Sequence, residues 1–343
     1  MTREEAKQII AKTKKDFGNK LVILGHHYQS DDIVEFSDYV GDSLELARQV
    51  THLTQARIII FCGVYFMAET AAILAPDKDV YIPDKDAGCP LADMANIDDV
   101  LKAWEATNNS GQSVVPITYV NSTAEVKAFC GEYNGTVCTS GNATVIFEWG
   151  LKNFEKIFFL PDRNLGRNTA YSLNIEDKFI FEWDFTKEYS ETDFEKLREA
   201  KIILWKGHCP VHWPVFSVKD VKRLRVLYPD IKIIVHPEVD PETVKASDLS
   251  GSTSKIISFV NEQKDGTKVA IGTEYNLVNR LANKLRGKVD IIPLYKILCE
   301  DMGKITIEKL ALTLLHLDKS KIVRVDKIIS DNALISLGNM LRI

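Results

Sequence analysis

Five of the seven histidines in this 343-residue chain fall at one kind of place. His26, His27, His208, His212 and His236 each follow a short apolar run. Asp84 and Cys89 do the same after Val80–Ile82, Asn121 after Val114–Tyr119, Ser140 after Thr136–Cys138, and Glu238 after Lys232–Val235. In open α/β sheets ligands bind beyond the carboxyl ends of the strands. Side chains that titrate, ligate or hydrogen-bond therefore accumulate where a site would be. A purely structural protein needs only Gly, Asn and Ser there, so an active site built from several strand ends is expected. His236-Pro237-Glu238 is the most pointed instance. Glu238, directly after an apolar strand, is a candidate general base tuned by desolvation, and His236 is placed to hold a carboxylate or a proton.

Three strand ends lead into good helix starts. Gly41-Asp42-Ser43 precedes LELARQV, Ser140-Gly141-Asn142 precedes ATVIFEW, and Ser250-Gly251-Ser252-Thr253 precedes SKIISFV. A hydroxyl at such a start accepts one early amide and leaves others pointing outward, next to the positive end of the dipole. Any one of these is an ordinary cap. Three together, with neither a Walker nor a GxGxxG pattern, point to a substrate with several carboxylate or phosphate groups rather than a nucleotide. The cysteines are Cys62, Cys89, Cys130, Cys138, Cys209 and Cys299, and no two form a CxxC pair. Spacing therefore predicts neither a zinc ribbon nor a ferredoxin, and leaves open both buried thiols and a metal site assembled from distant residues.

The elements that must position these residues alternate. Strands are expected at Leu21–Leu24, Ile58–Phe61, Val80–Ile82, Val114–Tyr119, Thr136–Cys138, Lys156–Leu160, Ile202–Trp205, Lys232–Val235, Lys268–Ile271 and Val289–Ile292. Amphipathic stretches such as SLELARQVTHL and VKDVKRLRVLY lie between them. Strand–helix alternation with continuous apolar strands predicts an α/β fold of parallel sheets covered on both faces. The polar segment Thr107–Ser113 and the acidic stretch Glu188–Lys201 interrupt it, dividing the chain into 1–106, 107–195 and 196–292, with a helical extension at 293–343. Two or three domains suit this length. With 45% hydrophobic and 27% charged residues the composition is that of an ordinary soluble globule. A net charge of −5 excludes the basic balance of nucleic-acid or membrane-surface binding. No apolar run approaches the roughly 18 residues of a membrane span. The charged, amphipathic N-terminus lacks the apolar centre of a signal peptide, so a cytosolic protein without structural disulfides is expected.

The segments GHHYQ, GDSLELAR, FCGVYFMAETAAIL, AGCPLADM, YVNSTAEVKA, CTSGNA, FLPDRNLG, GHCPVH, HPEV, SGSTS and IGTEYNLVNRL, running from Gly25 towards Met302, resemble the quinolinate synthase family. The resemblance implies three similar αβα domains around a pseudo-three-fold axis, with the active site at their junction. It implies condensation of iminoaspartate with dihydroxyacetone phosphate to quinolinate, with loss of phosphate and water, in NAD biosynthesis. The enzyme that supplies iminoaspartate is the one protein partner it suggests. The implied cofactor is a 4Fe–4S cluster held by Cys89, Cys209 and Cys299, its open iron serving as a Lewis acid. By the same resemblance His26 and Tyr28 orient and protonate the triose-derived part, and Tyr119 and Asn121 contact substrate over the cluster. Ser43, Ser140, Ser252 and Thr253 seat phosphate and carboxylates, while His236 and Glu238 match HPE, with Glu238 the main acid–base residue. Closed domains would exclude water from reactive intermediates. His27 and Tyr65 depart from the usual pattern.

The strand-end chemistry alone also suits a cluster- or zinc-dependent hydro-lyase acting on another polycarboxylate. A non-catalytic iron–sulfur sensor would add a helix-turn-helix or basic patch, and the sequence carries neither. Changing Cys89, Cys209 or Cys299 to Ser should abolish iron–sulfur absorbance in anaerobic protein, whereas the same change at Cys62 or Cys130 should not. A full cluster in Cys299→Ser would show that ligand to be misassigned.

Overall fold

The structure, a computed structural model, describes residues 1–108 and 111–343. Three sheets, each with parallel pairing throughout, organise the chain. The first contains β1 (Leu21–His26), β2 (Tyr39–Gly41), β3 (Ile58–Cys62) and β4 (Asp79–Tyr81) in the order β2-β1-β3-β4. The second contains β5 (Val114–Tyr119), β6 (Thr136–Cys138), β7 (Lys156–Leu160), β8 (Ile180–Trp183) and β9 (Ile202–Trp205) in the order β6-β5-β7-β9-β8. The third contains β10 (Lys232–Val235), β11 (Leu249–Ser250), β12 (Lys268–Gly272) and β13 (Asp290–Pro293) in the order β11-β10-β12-β13. Each sheet thus opens with the same arrangement, in which the second strand turns back beside the first and the third crosses to the other side. Helices cover the faces, which is why central strands such as β1, β5 and β7 are buried at every position.

Each run expected to be a strand falls on a strand. The short edge strands β2, β8 and β11 were not expected. Two or three residues carry no readable period, and β8 is amphipathic and followed by charged chain. The division at residue 196 also needs correction. Glu188–Lys201 is no linker, because its helix Glu191–Glu199 joins β8 to β9, and β9 hydrogen-bonds to β7 in the second sheet. Of the other break, Thr107–Ser113, residues Asn109 and Ser110 lie outside the described residues.

A repeat at residue level joins the first and third sheets. Ser37-Asp38-Tyr39-Val40-Gly41 corresponds to Ser247-Asp248-Leu249-Ser250-Gly251. Asp38 Oδ2 accepts the Ile23 amide at 2.8 Å, and Asp248 Oδ2 accepts the Ile233 amide at 2.7 Å. In both sheets the aspartate pins a minimal edge strand beside the first strand, which aims the following helix start at the sheet's carboxyl end.

The C-terminal extension straps these units together. Helix Ile307–His316 packs on the N-terminal helix Arg3–Phe17, and helix Lys327–Arg342 lies along Ala124–Glu132. Among the described residues no helix is long and apolar enough to cross a membrane. A Cβ at Gly131 would meet the Asn332 carbonyl oxygen at 1.9 Å, so only glycine permits this approach of Lys327–Arg342. Gly131→Ala should cost about 1–3 kcal/mol and speed proteolytic release of the C-terminal helix. A digestion rate equal to wild type would refute the tight seat.

Candidate active site

The carboxyl ends of all three sheets face one cavity of about 390 Å³. Its wall holds His26 from the end of β1 and Tyr28 from beyond it, Ser43 from beyond β2, Cys89 from beyond β4, Tyr119 from the end of β5 and Asn121 from beyond it. Ser140 follows β6, Cys209 and His212 follow β9, His236 and Glu238 follow β10, Thr253 follows β11 and Cys299 follows β13. Of the residues given a site role from sequence, Ser252 is off this wall, and of the other strand-end side chains His27, His208 and Asp84 are off it too. The Ser252 hydroxyl caps the helix Thr253–Asn261 by accepting the Lys255 amide at 3.3 Å. Asp42 does the same for the helix Ser43–His52, accepting the Leu44 and Glu45 amides at 3.0 Å. The division of labour is consistent: Asp42 and Ser252 cap, which leaves the neighbouring hydroxyls of Ser43 and Thr253 on the cavity wall.

Cys89, Cys209 and Cys299 are half-buried, whereas Cys62, Cys130 and Cys138 are fully buried. The Cys209 thiol lies within electrostatic range of both Cys89 and Cys299. Burial pushes the Cys89 thiol up to about 12 and that of Cys299 up to about 11, and it raises Cys209 strongly, with the Glu238 charge adding to the effect. Thiols so placed give up their protons only to a strongly bound cation. Asn121 Oδ1 and Glu238 Oε1 are buried on the same wall without a hydrogen-bond partner. Sulfur donors converging on one cavity, beside unpartnered oxygens, fit a metal group bound among them.

Glu238, His212 and His236 form a buried, closely packed set. Glu238 Oε2 lies 2.7 Å from His212 Nδ1 and 3.1 Å from His236 Nδ1, and the two imidazoles stack at 4.4 Å. The 2.7 Å contact is electrostatic rather than an aligned hydrogen bond, since Nδ1 of His212 has no partner in hydrogen-bond geometry. Burial opposes ionisation of Glu238, but the two imidazoles outweigh it and hold the carboxyl below the usual carboxylate range. Burial and then His236 push His212 down, with Glu238 pulling the other way. Burial also brings His26 down to about 3 and raises Tyr28 and Tyr119, so a neutral imidazole faces two firmly protonated phenols.

Cys209, His212 and Glu238 each offer a ligand atom, all within 4.8 Å of one another, so this trio could hold a metal ion. Sequence reasoning noted His212 as a strand-end histidine but gave it no role. The available signal was its position three residues after Cys209. Thr273 was likewise given no role. Its buried hydroxyl lies 2.8 Å from the Tyr28 hydroxyl and 3.1 Å from His212 Nε2, bridging the first sheet's loop to the loop after β9.

The chain matches the family model described as Quinolinate synthetase A protein over residues 8–342. Among curated relatives, a protein of Bacillus licheniformis named quinolinate synthase is 44% identical over 354 residues, covering 100% of this chain and 94% of that protein. Proteins of the same name from Bacillus cereus and Bacillus cytotoxicus are each 43% identical over 348 residues, covering 99% of this chain and 94% of theirs.

Thr273→Val preserves shape and removes the shared hydroxyl, leaving a buried phenol and imidazole short of a partner. It should lower stability by about 1–3 kcal/mol in anaerobic denaturant unfolding. An unchanged midpoint would show the bridge to be unimportant.

Proposed function

This chain belongs to the quinolinate synthetase A family, and on that footing we propose that it is a quinolinate synthase in NAD biosynthesis, condensing iminoaspartate with dihydroxyacetone phosphate with loss of phosphate and water. The supporting observation is the convergence of three half-buried cysteines and the Glu238–His212–His236 set on one cavity.

Cys89, Cys209 and Cys299 would hold a 4Fe–4S cluster. Bound there with one iron open, it supplies a Lewis acid for gripping substrate oxygen or nitrogen. A cationic group is what the cavity otherwise lacks. Among the described residues its wall carries no lysine or arginine, although both substrates are anionic. Hydroxyls at helix starts supply the rest. Ser43 and Thr253 sit in the first turn of their helices, and Ser140 lies just before the helix Ala143–Asn153. There they hydrogen-bond phosphate and carboxylate oxygens with help from the helix dipole.

Glu238 moves protons. Held ionised beside two imidazoles, it takes a proton from the triose carbon skeleton, passes it to the neighbouring oxygen, and repeats the exchange during ring closure. His212 and His236 store and return that proton. The neutral His26 and the protonated Tyr28 orient the triose unit, the phenol donating to its oxygen, while Tyr119 and Asn121 hold the dicarboxylate partner. The buried wall keeps water from the imine and enol forms.

The trio Cys209, His212 and Glu238 favours one second reading, a hydro-lyase using a single divalent metal on another polycarboxylate. That reading leaves Cys89 and Cys299 facing the cavity without a task. Anaerobic protein supplied with iminoaspartate and dihydroxyacetone phosphate should form quinolinate, and its iron and sulfide should be present in equal amounts. One zinc without sulfide, and no quinolinate, would favour the hydro-lyase. Glu238→Gln should keep iron and sulfide and lose about 10²–10⁴-fold in kcat. Near-normal turnover would remove Glu238 from the acid–base role.

A further inference from the structure

The segment FLPDRNLG and the helix it opens, Arg163–Ser172, take no part in the chemistry above, yet they touch both loops that carry it. Asp162 is fully buried. Its Oδ1 accepts the Leu165 amide at 2.8 Å and its Oδ2 the Cys209 amide at 3.1 Å. Asn164 Nδ2 donates to the Glu238 carbonyl at 3.2 Å. One turn later Asn168 Nδ2 donates to the Pro237 and Val239 carbonyls, both at 2.8 Å, so its two N–H groups bracket Glu238. The Arg163 guanidinium lies 4.6 Å over the ring of Trp213, just beyond His212. A rigid two-turn element of the second unit therefore grips the loop after β9 and the loop after β10. These loops belong to different sheets, and between them they present the close set Cys209, His212 and Glu238.

We propose that Asp162, Asn164 and Asn168 are positioning residues that fix Glu238 relative to Cys209 and so set the rate of proton transfer without touching substrate. Their bonds all go to main chain, so they hold the loop itself, alongside the 2.7 Å contact of the Glu238 carboxylate with His212 on the Cys209 loop. Removing a donor leaves buried carbonyls unsatisfied, and the loop shifts to find partners. Water is close at hand, because Asn168 and Pro237 also border a second cavity of about 670 Å³ between these units. A shift of about 1 Å costs rate far more than it costs binding. The effect on rate rests on the function proposed above; the geometric effect does not.

Asn164→Leu and Asn168→Leu keep side-chain bulk and delete the donors. Asn168→Asp, at a half-buried site, is the companion variant should a leucine fail to fold, since it sets a carboxylate against the two carbonyls. In the holoprotein, kcat should fall about tenfold to a hundredfold with KM within about threefold and iron and sulfide retained. Crystal structures of the variants should show residues 237–239 displaced by about 1 Å relative to Cys209. Asp162→Asn turns an NH₂ group toward one of its two amide donors, and should weaken iron retention against a chelator by about tenfold to a hundredfold. An unmoved loop, an unchanged kcat, or a loss that only tracks lost iron and folded protein would overturn the role of the asparagines. Iron retention equal to wild type would overturn that of Asp162. Wild-type protein that makes no quinolinate would remove the proposed function but leave the loop displacement to decide this inference.

Discussion

Three parallel sheets turn their carboxyl ends toward one junction, and the loops leaving them are buried there with their main-chain polar groups and ionisable side chains. Water cannot reach these groups freely, and each one left unpaired costs about 1–3 kcal/mol. The partners come from a neighbouring unit. Arg280 of the third unit donates to the His27 carbonyl at 2.9 Å and to that of Gln29, and Asn276 donates to Tyr28 at 3.0 Å. Ser254 donates to Asp42 at 2.6 Å, and Asn168 of the second unit holds the loop around Glu238. The geometry of the site and its exclusion of water thus have one cause, the satisfaction of each unit's loops by another.

That burial also sets the protonation of the site. It works against every ionised form, raising the thiols and the phenols of Tyr28 and Tyr119 and lowering His26. Glu238 is the exception because two imidazoles lie within 3.1 Å of it. Protonated phenols and thiols then surround one carboxylate, and the negative charge of bound anions falls to helix starts and to whatever cation the sulfurs hold. A strand-end site whose wall, among the described residues, carries no lysine or arginine is coherent only on those terms.

The helix Arg163–Ser172 shows how such a site is kept in register. An i, i+4 pair of asparagines reaches one loop, and the aspartate before the helix reaches another. The two asparagines use the spacing of a single helical face. The same economy appears in the paired Asp38 and Asp248 bonds, where two sheets use one local device to aim a helix start.

Much of this was legible in the residues themselves. Apolar runs bounded by polar loops located the central strands, and the strand-end rule gathered His26, Cys89, Asn121 and Glu238 before any contact was known, because burial on both faces leaves a continuous hydrophobic signature. Edge strands of two or three residues, such as Leu249–Ser250, carry no such period, and β9 was assigned to the wrong unit because pairing partners are not encoded locally. Ser252 and Thr253 look alike as hydroxyls at a helix start, and only the backbone decides which caps and which faces the cavity. His212, Thr273 and Asn168 hydrogen-bond to residues between 61 and 245 positions away. What the chain by itself determined was its alternation of elements and the chemical types at their ends. Which of those ends meet, and at what distance, was decided by the packing of three sheets, since contact across sequence separations of that length leaves no trace in local pattern.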